Sequence, residues 1–250
     1  MLRPTPVTAS VKFGCMLETP LVSHTTRTGM CSENVLGDAD NQQGSRSVIE
    51  TGLTPQRLHA ELLAANISVS RAYLLGALHD ATISTLHRTV RFGQSDPEWL
   101  NGVAVLCRVI GQKSWIYREG KTRNLWILET SARWLASETS LTSTEECLAY
   151  ARGYFDTEGG VPHNPAARFY IQLVQKNAAD ISKLKVMLEQ LGIACGKLHN
   201  PSAGIDDELW RFYVSARSHR TFVERVSSWH PQKRRRLELW LERQDARMKI

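Results

Sequence analysis

Apolar positions along the chain fall into an order of elements that is written twice. Thr54 with Pro55 marks a helix start, and a helical stretch follows over 69–82. Residues 88–94 alternate as a strand does. Asp96-Pro97 then opens a helix to about Ile110, which Gly111 ends. Two strands, 114–118 and 124–128, join through a turn at Glu119-Gly120-Lys121, and a short helix near 132–135 closes the unit. The second half runs in the same order. A helix rich in alanine and aromatics ends at Glu158 before Gly159-Gly160, and 168–175 reads as a strand. In the helix 180–191, Leu184, Met187, Leu188 and Leu191 form one stripe, and Gly192 ends it. Strands at 195–199 and 209–214 flank a loop at 200–204, and a last helix begins near Ser218.

Composition narrows the class. The 250 residues are 42% hydrophobic with seven Trp, enough for a real core in one large or two small domains. The formal charge of +6 suits a polyanionic partner. Five scattered cysteines without a C-x-x-C pair argue for free thiols in a reducing compartment and against a zinc site. No apolar run approaches the roughly 20 residues of a membrane span, and no signal-peptide core is visible at the N-terminus. The expectation is a soluble protein of the cytoplasm, or of an organelle matrix. Residues 1–52 hold one aromatic and are rich in Ser, Thr, Gly and Asn. They read as a disordered extension, leaving 53–140 and 141–250 as two repeats, the second with a basic C-terminal helix.

The chemistry gathers at the ends of the two helices that open the repeats. Gly153 and Thr157 give the second helix a face without bulk, so another helix backbone can approach closely. Glu158 follows at the tip, where unpaired carbonyls already make the field negative. A carboxylate there serves the helix poorly and a divalent cation well. The segment from Ala151 to Gly159, Ala-Arg-Gly-Tyr-Phe-Asp-Thr-Glu-Gly, resembles the signature helix of the LAGLIDADG homing endonucleases. A weaker copy, Val69-Ser-Arg-Ala-Tyr-Leu-Leu-Gly-Ala-Leu-His-Asp-Ala-Thr82, precedes it.

The resemblance implies an α+β fold of two pseudo-symmetric α-β-β-α-β-β-α repeats, whose antiparallel sheets form a DNA-binding saddle. It implies a monomeric, two-repeat enzyme, encoded in an intron, that hydrolyses both strands of a specific double-stranded DNA. Mg²⁺ or Mn²⁺ would be held by acidic residues at the two helix tips. In the second motif that residue is Glu158. In the first, aligning Gly76 with the motif glycine puts Ala81 at the acidic position. Slipping by one residue puts Asp80 there, turns the helix by about 100°, and leaves Ala77 and Ala81 as the small face. We take the slipped register, because a metal site needs the carboxylate more than that glycine. His79 then packs beside the site.

Gln94 and Gln175, 81 residues apart at matched strand ends, are expected beside the carboxylates, with Lys113 and Lys197 as basic helpers. Strand ribbons fit a major groove. Arg88 and Arg91 on the first hairpin, and Arg168, Tyr170 and Gln172 on the second, are the expected base readers. The run Lys233-Arg234-Arg235-Arg236 lies on a helix whose Leu237, Trp240 and Leu241 face inward, and Lys233, Arg234 and Arg235 are expected on phosphates. Trp115, Trp126, Trp134 and Trp210 are expected in the cores. The same scaffold without cutting, as an intron RNA maturase or a DNA-binding protein, is the alternative.

Overall fold

The computed structural model describes residues 12–13, 55–120, 122–136 and 140–249. Strand β1 (Lys12–Phe13) lies within the expected extension and pairs in parallel with β6 (Ser140–Leu141); the rest of residues 1–52 lies outside the described residues.

The first repeat is entered by α1 (Pro55–Ala64) and α2 (Ile67–Ala77). Asn66 caps α2 by accepting a hydrogen bond from the Val69 amide at 2.8 Å. The repeat continues with β2 (Thr82–Ser84), β3 (Thr89–Gln94), α3 (Pro97–Val109), β4 (Ser114–Arg118) and β5 (Trp126–Ser131). A 3₁₀ turn at Arg133–Ala136 closes it. The second repeat runs α4 (Thr144–Glu158), β7 (Gly159–Gly160), β8 (Gln172–Gln175), α5 (Ala178–Gln190), β9 (Trp210–Tyr213) and α6 (His219–Arg225), and α7 (Pro231–Met248) follows. Ser143 and Glu146 form a capping box at the start of α4. Gly111 and Gly192 both adopt left-handed backbone, at φ 73° and 80°, just past α3 and α5.

The sheets repeat as well. The first is antiparallel in the order β2-β3-β5-β4, and the second runs β7-β8-β9. Bridges from Cys195 to Val214 and from His199 to Arg211 add 195–199 along the free edge of β9, in the place β4 holds in the first sheet. Strands 88–94 and 168–175 are shorter than expected: Arg88, at φ 53°, belongs to the turn before β3, and Arg168 and Tyr170 precede β8. Inner faces carry Val90, Phe92 and Leu128 in one sheet and Leu173 and Phe212 in the other, all buried. A single hydrophobic cluster joins both repeats. Trp134 is buried, and Trp126 and Trp210 pack against the cluster. Trp115 corrects the expectation: it pairs with Glu129 on the outer face and is 50% exposed. Trp99 and Trp229 fill the core in its stead.

Helices α2 and α4 hold the repeats together. A Cβ on Gly153 would stand 2.0 Å from the Tyr73 carbonyl oxygen, and one on Gly76 would stand 2.0 Å from that of Tyr150. Each glycine therefore faces the residue three positions before the other, as a twofold axis demands. The hydroxyls obey the same axis. Tyr73 donates to Asp156 at 2.7 Å, and the Tyr150 hydroxyl lies 2.8 Å from His79 Nε2. Asp156 and His79 each stand three positions after their glycine.

A methyl group at Gly153 forces the helices apart, because the obstruction is backbone. We expect Gly153→Ala to lose at least about 2 kcal/mol, lowering the melting temperature by roughly 4–8 °C, and Gly76→Ala to match it. Gly204→Ala, in open space, should leave melting unchanged in the same thermal scan.

Candidate functional site

The packing decides the register of the first motif. Gly76, not the Ala77 and Ala81 face, is the close-contact position, so by symmetry Ala81 corresponds to Glu158. Asp80 nevertheless reaches the site, because the helix tightens. Residues Leu78–Asp80 form a 3₁₀ turn, rising about 2.0 Å per residue against about 1.5 Å in an α-helix. One α step and three 3₁₀ steps from Gly76 to Asp80 climb about 7.5 Å, the height that five α steps give from Gly153 to Glu158. The carboxylate thus arrives one residue early.

The two carboxylates sense each other. Burial, and then the charge of Asp80, push the Glu158 carboxyl up to about 7, against the pull of Gln175 and Lys233. Burial also raises Asp80, with Lys233 opposing. Asp80 lies at the exposed lip, and its charge adds to the burial that raises Glu158. Gln175 Nε2 donates to Glu158 Oε1 at 3.4 Å. Gly159 and Gly160 leave the helix as strand rather than in the left-handed turn of a helix stop. A Cβ on Gly159 would meet the Phe155 ring at 2.1 Å, and one on Gly160 would meet Gln172 at 2.9 Å. Glycine here brings β8, and so Gln175, against the helix tip.

Beneath the site lies a charged group that the reading by charge run assigned elsewhere. Lys233 Nζ donates to the carbonyls of Phe155 and Asp156, at 2.8 and 2.7 Å, as a cation at a helix C-terminus does. Burial lowers its pKa to about 8, against the charges of Asp156, Glu158 and Asp80. Lys233 is therefore the ammonium coupled to the carboxylate pair, and the expectation of a surface phosphate contact is corrected. Arg234 is corrected likewise: it binds both oxygens of Glu61, at 2.6 and 3.0 Å, and Glu238 at 2.9 Å. Asp156, fully buried, accepts from Tyr73, from Ser228 Oγ and from the Trp229 amide. These bonds tie 228–234 to the underside of α4. His79 sits against the rings of Tyr150 and Tyr154, and burial lowers it to about 4, so it is neutral packing.

Of the other expected residues, Gln94 ends β3 three positions before α3, as Gln175 ends β8 before α5. Lys113 and Lys197 are exposed, and neither enters the electrostatics of the carboxylates. On the outer face of the first sheet, Arg91 is bound to Glu119 at 2.5 Å and to the Tyr117 hydroxyl at 3.0 Å, with Arg88 exposed beyond it. On the second, Gln172 lies across from Tyr213 and Tyr170 meets the Tyr213 ring edge-on. Arg211, which the strand alternation offered and the sequence reading passed over, lies over the Tyr213 ring.

Two carboxylates crowded in partial burial have a deficit that a hard cation relieves. Among the described residues no group of three His, Cys, Asp or Glu converges on a metal position. Mg²⁺ commonly takes one or two carboxylates and completes its shell with water and phosphate oxygens. The donor set fits such an ion, with Lys233 as a resident competitor.

Residues 145–227 match the family model of the LAGLIDADG-like domain. No curated protein matches the chain in sequence. Among solved structures it is similar to full-length WhiA (DUF199) of Thermatoga maritima, with TM-score 0.54 and 15% identity over 68% of this chain and 60% of that one. It thus spans about three fifths of full-length WhiA. The N-terminal LAGLIDADG domain of WhiA matches with TM-score 0.54 and 12% identity, over 70% of this chain and 90% of that domain. The homing endonuclease I-DmoI, solved also with DNA and calcium, matches with TM-score 0.50 and 18% identity over 65% of this chain and 91% of that one. At these identities the likeness is one of fold.

The raised carboxyl has a sign that calorimetry reads. The folded chain holds the Glu158 proton more tightly than the unfolded chain, whose value is about 4.5. The associated stability is complete below pH 4.5 and is lost as pH rises through 7. We expect Glu158→Gln, free of this loss, to melt a few degrees above wild type at pH 8 without metal. The gap should close toward pH 4.5.

Proposed function

We propose that this chain, whose residues 145–227 match the LAGLIDADG-like domain and whose fold is similar to those of I-DmoI and the WhiA LAGLIDADG domain, is a site-specific endonuclease that hydrolyses both strands of double-stranded DNA with a divalent metal, Mg²⁺ or Mn²⁺. The observation that carries this reading is the delivery of Asp80 and Glu158, by two glycine-packed helices, to one electrostatically coupled pair. The finer assignments are part of the same proposal: a homing enzyme encoded in an intron, acting as a single chain in the cytoplasm or an organelle matrix.

Asp80 and Glu158 would hold the cation, which when bound lowers the pKa of water and neutralises charge on the scissile phosphate. Gln175 fixes the rotamer of Glu158 and orients its free oxygen. The outer faces of the sheets, with Arg88, Gln172 and Arg211, supply contacts to base edges and backbone. Arg91 reads DNA only after leaving Glu119. Lys233 opposes the upward shift of both carboxyls and so favours their charged forms, and it lowers the repulsion an approaching phosphate meets.

Lys233 also favours a second reading, a DNA-binding protein of the same fold that does not cut. An ammonium coupled to both carboxylates supplies part of the charge that a metal would bring.

The test uses a duplex joining the sequences that flank the gene. Wild type should bind it and cleave both strands in Mg²⁺. Glu158→Gln should bind within a fewfold of wild type or tighter, and lose at least about a thousandfold in cleavage, as expected when a metal's charge stabilisation is removed. Asp80→Asn should do the same. Binding without cutting in either Mg²⁺ or Mn²⁺ would establish the second reading. Wild-type cleavage by Asp80→Asn would remove Asp80 from the site.

A further inference from the structure

A cleft of about 800 Å³ opens between α7 and the segment 162–169 that precedes β8. Five arginines line it, Arg168 from the segment and Arg235, Arg236, Arg243 and Arg247 from α7, and no carboxylate does. The one-sidedness is built by helix periodicity. Residues 232, 235, 236, 239, 240, 243 and 247 fall on one stripe of α7, while two of the helix's acids are engaged elsewhere. Glu238 binds Arg234, and Asp245 binds Arg220. The facing wall is held in place. Asn164 accepts from the Ala166 amide at 2.9 Å, and Arg243 donates to the Pro165 carbonyl at 2.7 Å. Phe169 and Trp240 stack at 4.4 Å on its inner side, with His219 edge-on to both.

Five guanidinium groups around one cavity repel each other, and none of the five has an ion-pair partner among the described residues. The described residues supply them no counter-charge, which leaves the cleft open to an anionic ligand. Guanidinium forks match phosphate oxygens in pairs. An aromatic wall beside a row of cations is the arrangement that takes a single strand, bases against the rings and backbone along the arginines. The volume lies in the range of small-ligand sites, too confined for a duplex to enter. We propose that this cleft binds single-stranded nucleic acid, separately from the sheet faces and the carboxylate pair. Arg168, expected as a base reader on the second sheet, lines this cleft instead.

The full chain is titrated against fluorescein-labelled dT₁₂ and U₁₂, and against a 30-base-pair duplex of arbitrary sequence, by anisotropy at two salt concentrations. The variant is Arg235→Ala with Arg247→Ala, both exposed and neither bonded to the facing wall, so folding and the shape of the cleft are not at stake. Removing two phosphate contacts should weaken single-strand binding at least about tenfold and flatten its salt slope by about 1.4. Duplex binding should stay within twofold. Preference for U₁₂ assigns the strand as RNA and preference for dT₁₂ as DNA, and either supports the cleft. The proposal is overturned by absence of oligonucleotide binding at tens of micromolar protein. An unchanged double variant overturns it equally, as does equal weakening of duplex binding. Tripolyphosphate competing as well as dT₁₂ at equal phosphate would reduce the cleft to a small-anion site and also overturn it.

Discussion

Two peptide carbonyls, of Tyr73 and Tyr150, occupy the space where side chains would stand at Gly153 and Gly76. Everything with chemical interest in the chain hangs on that approach. It sets the tips of α2 and α4 side by side, and with them Asp80 and Glu158. It brings each tyrosine hydroxyl within reach of the opposite helix, to Asp156 on one side and His79 on the other. Asp156 then gathers the Ser228–Trp229 segment, which carries α7 back under the site. A methyl group at either glycine would act on this whole chain of contacts, because its first link is made of backbone and has no rotamer to change.

Much of this was legible in the residues, unevenly so. The second motif is plain because its helix is regular to Glu158, so spacing alone locates the small face and the carboxylate. The first motif misleads because periodicity assumes one rise per residue throughout. The helix changes pitch at Leu78, and both candidate registers are then half right: Gly76 packs as one requires and Asp80 arrives as the other requires. Lys233 was misread for a different reason. A run of four cations looks uniform in sequence, yet successive positions on a helix point about 100° apart. Lys233 turns under α4, Arg234 toward Glu61 and Arg235 toward the cleft. Trp115 shows the same limit on a strand, where alternation gives two faces without saying which is wet.

The site holds its charges at a cost to the fold. Glu158 is kept near a pH at which it is half protonated, and Lys233 is drawn down toward neutrality, each by loss of hydration. A structural ion pair would be relieved by moving the partners together. Here the ammonium is anchored on the carbonyls of Phe155 and Asp156 instead, while Gln175 holds the carboxylate from the other side. Residues placed for packing alone, such as His79, shed their charge. Glu158 at the helix tip stays titratable near neutrality.

The two carboxylates reach the axis by unlike means, Asp80 on a short side chain at a tightened turn and Glu158 on a longer one at an intact helix. In an assembly of identical subunits a substitution at the axis strikes both sides at once, and such a pair would be forbidden. Joined in a single chain, one half can be remade while the other is kept. Covalent linkage of the repeats thus widens what inheritance can tolerate at the most crowded point of the molecule.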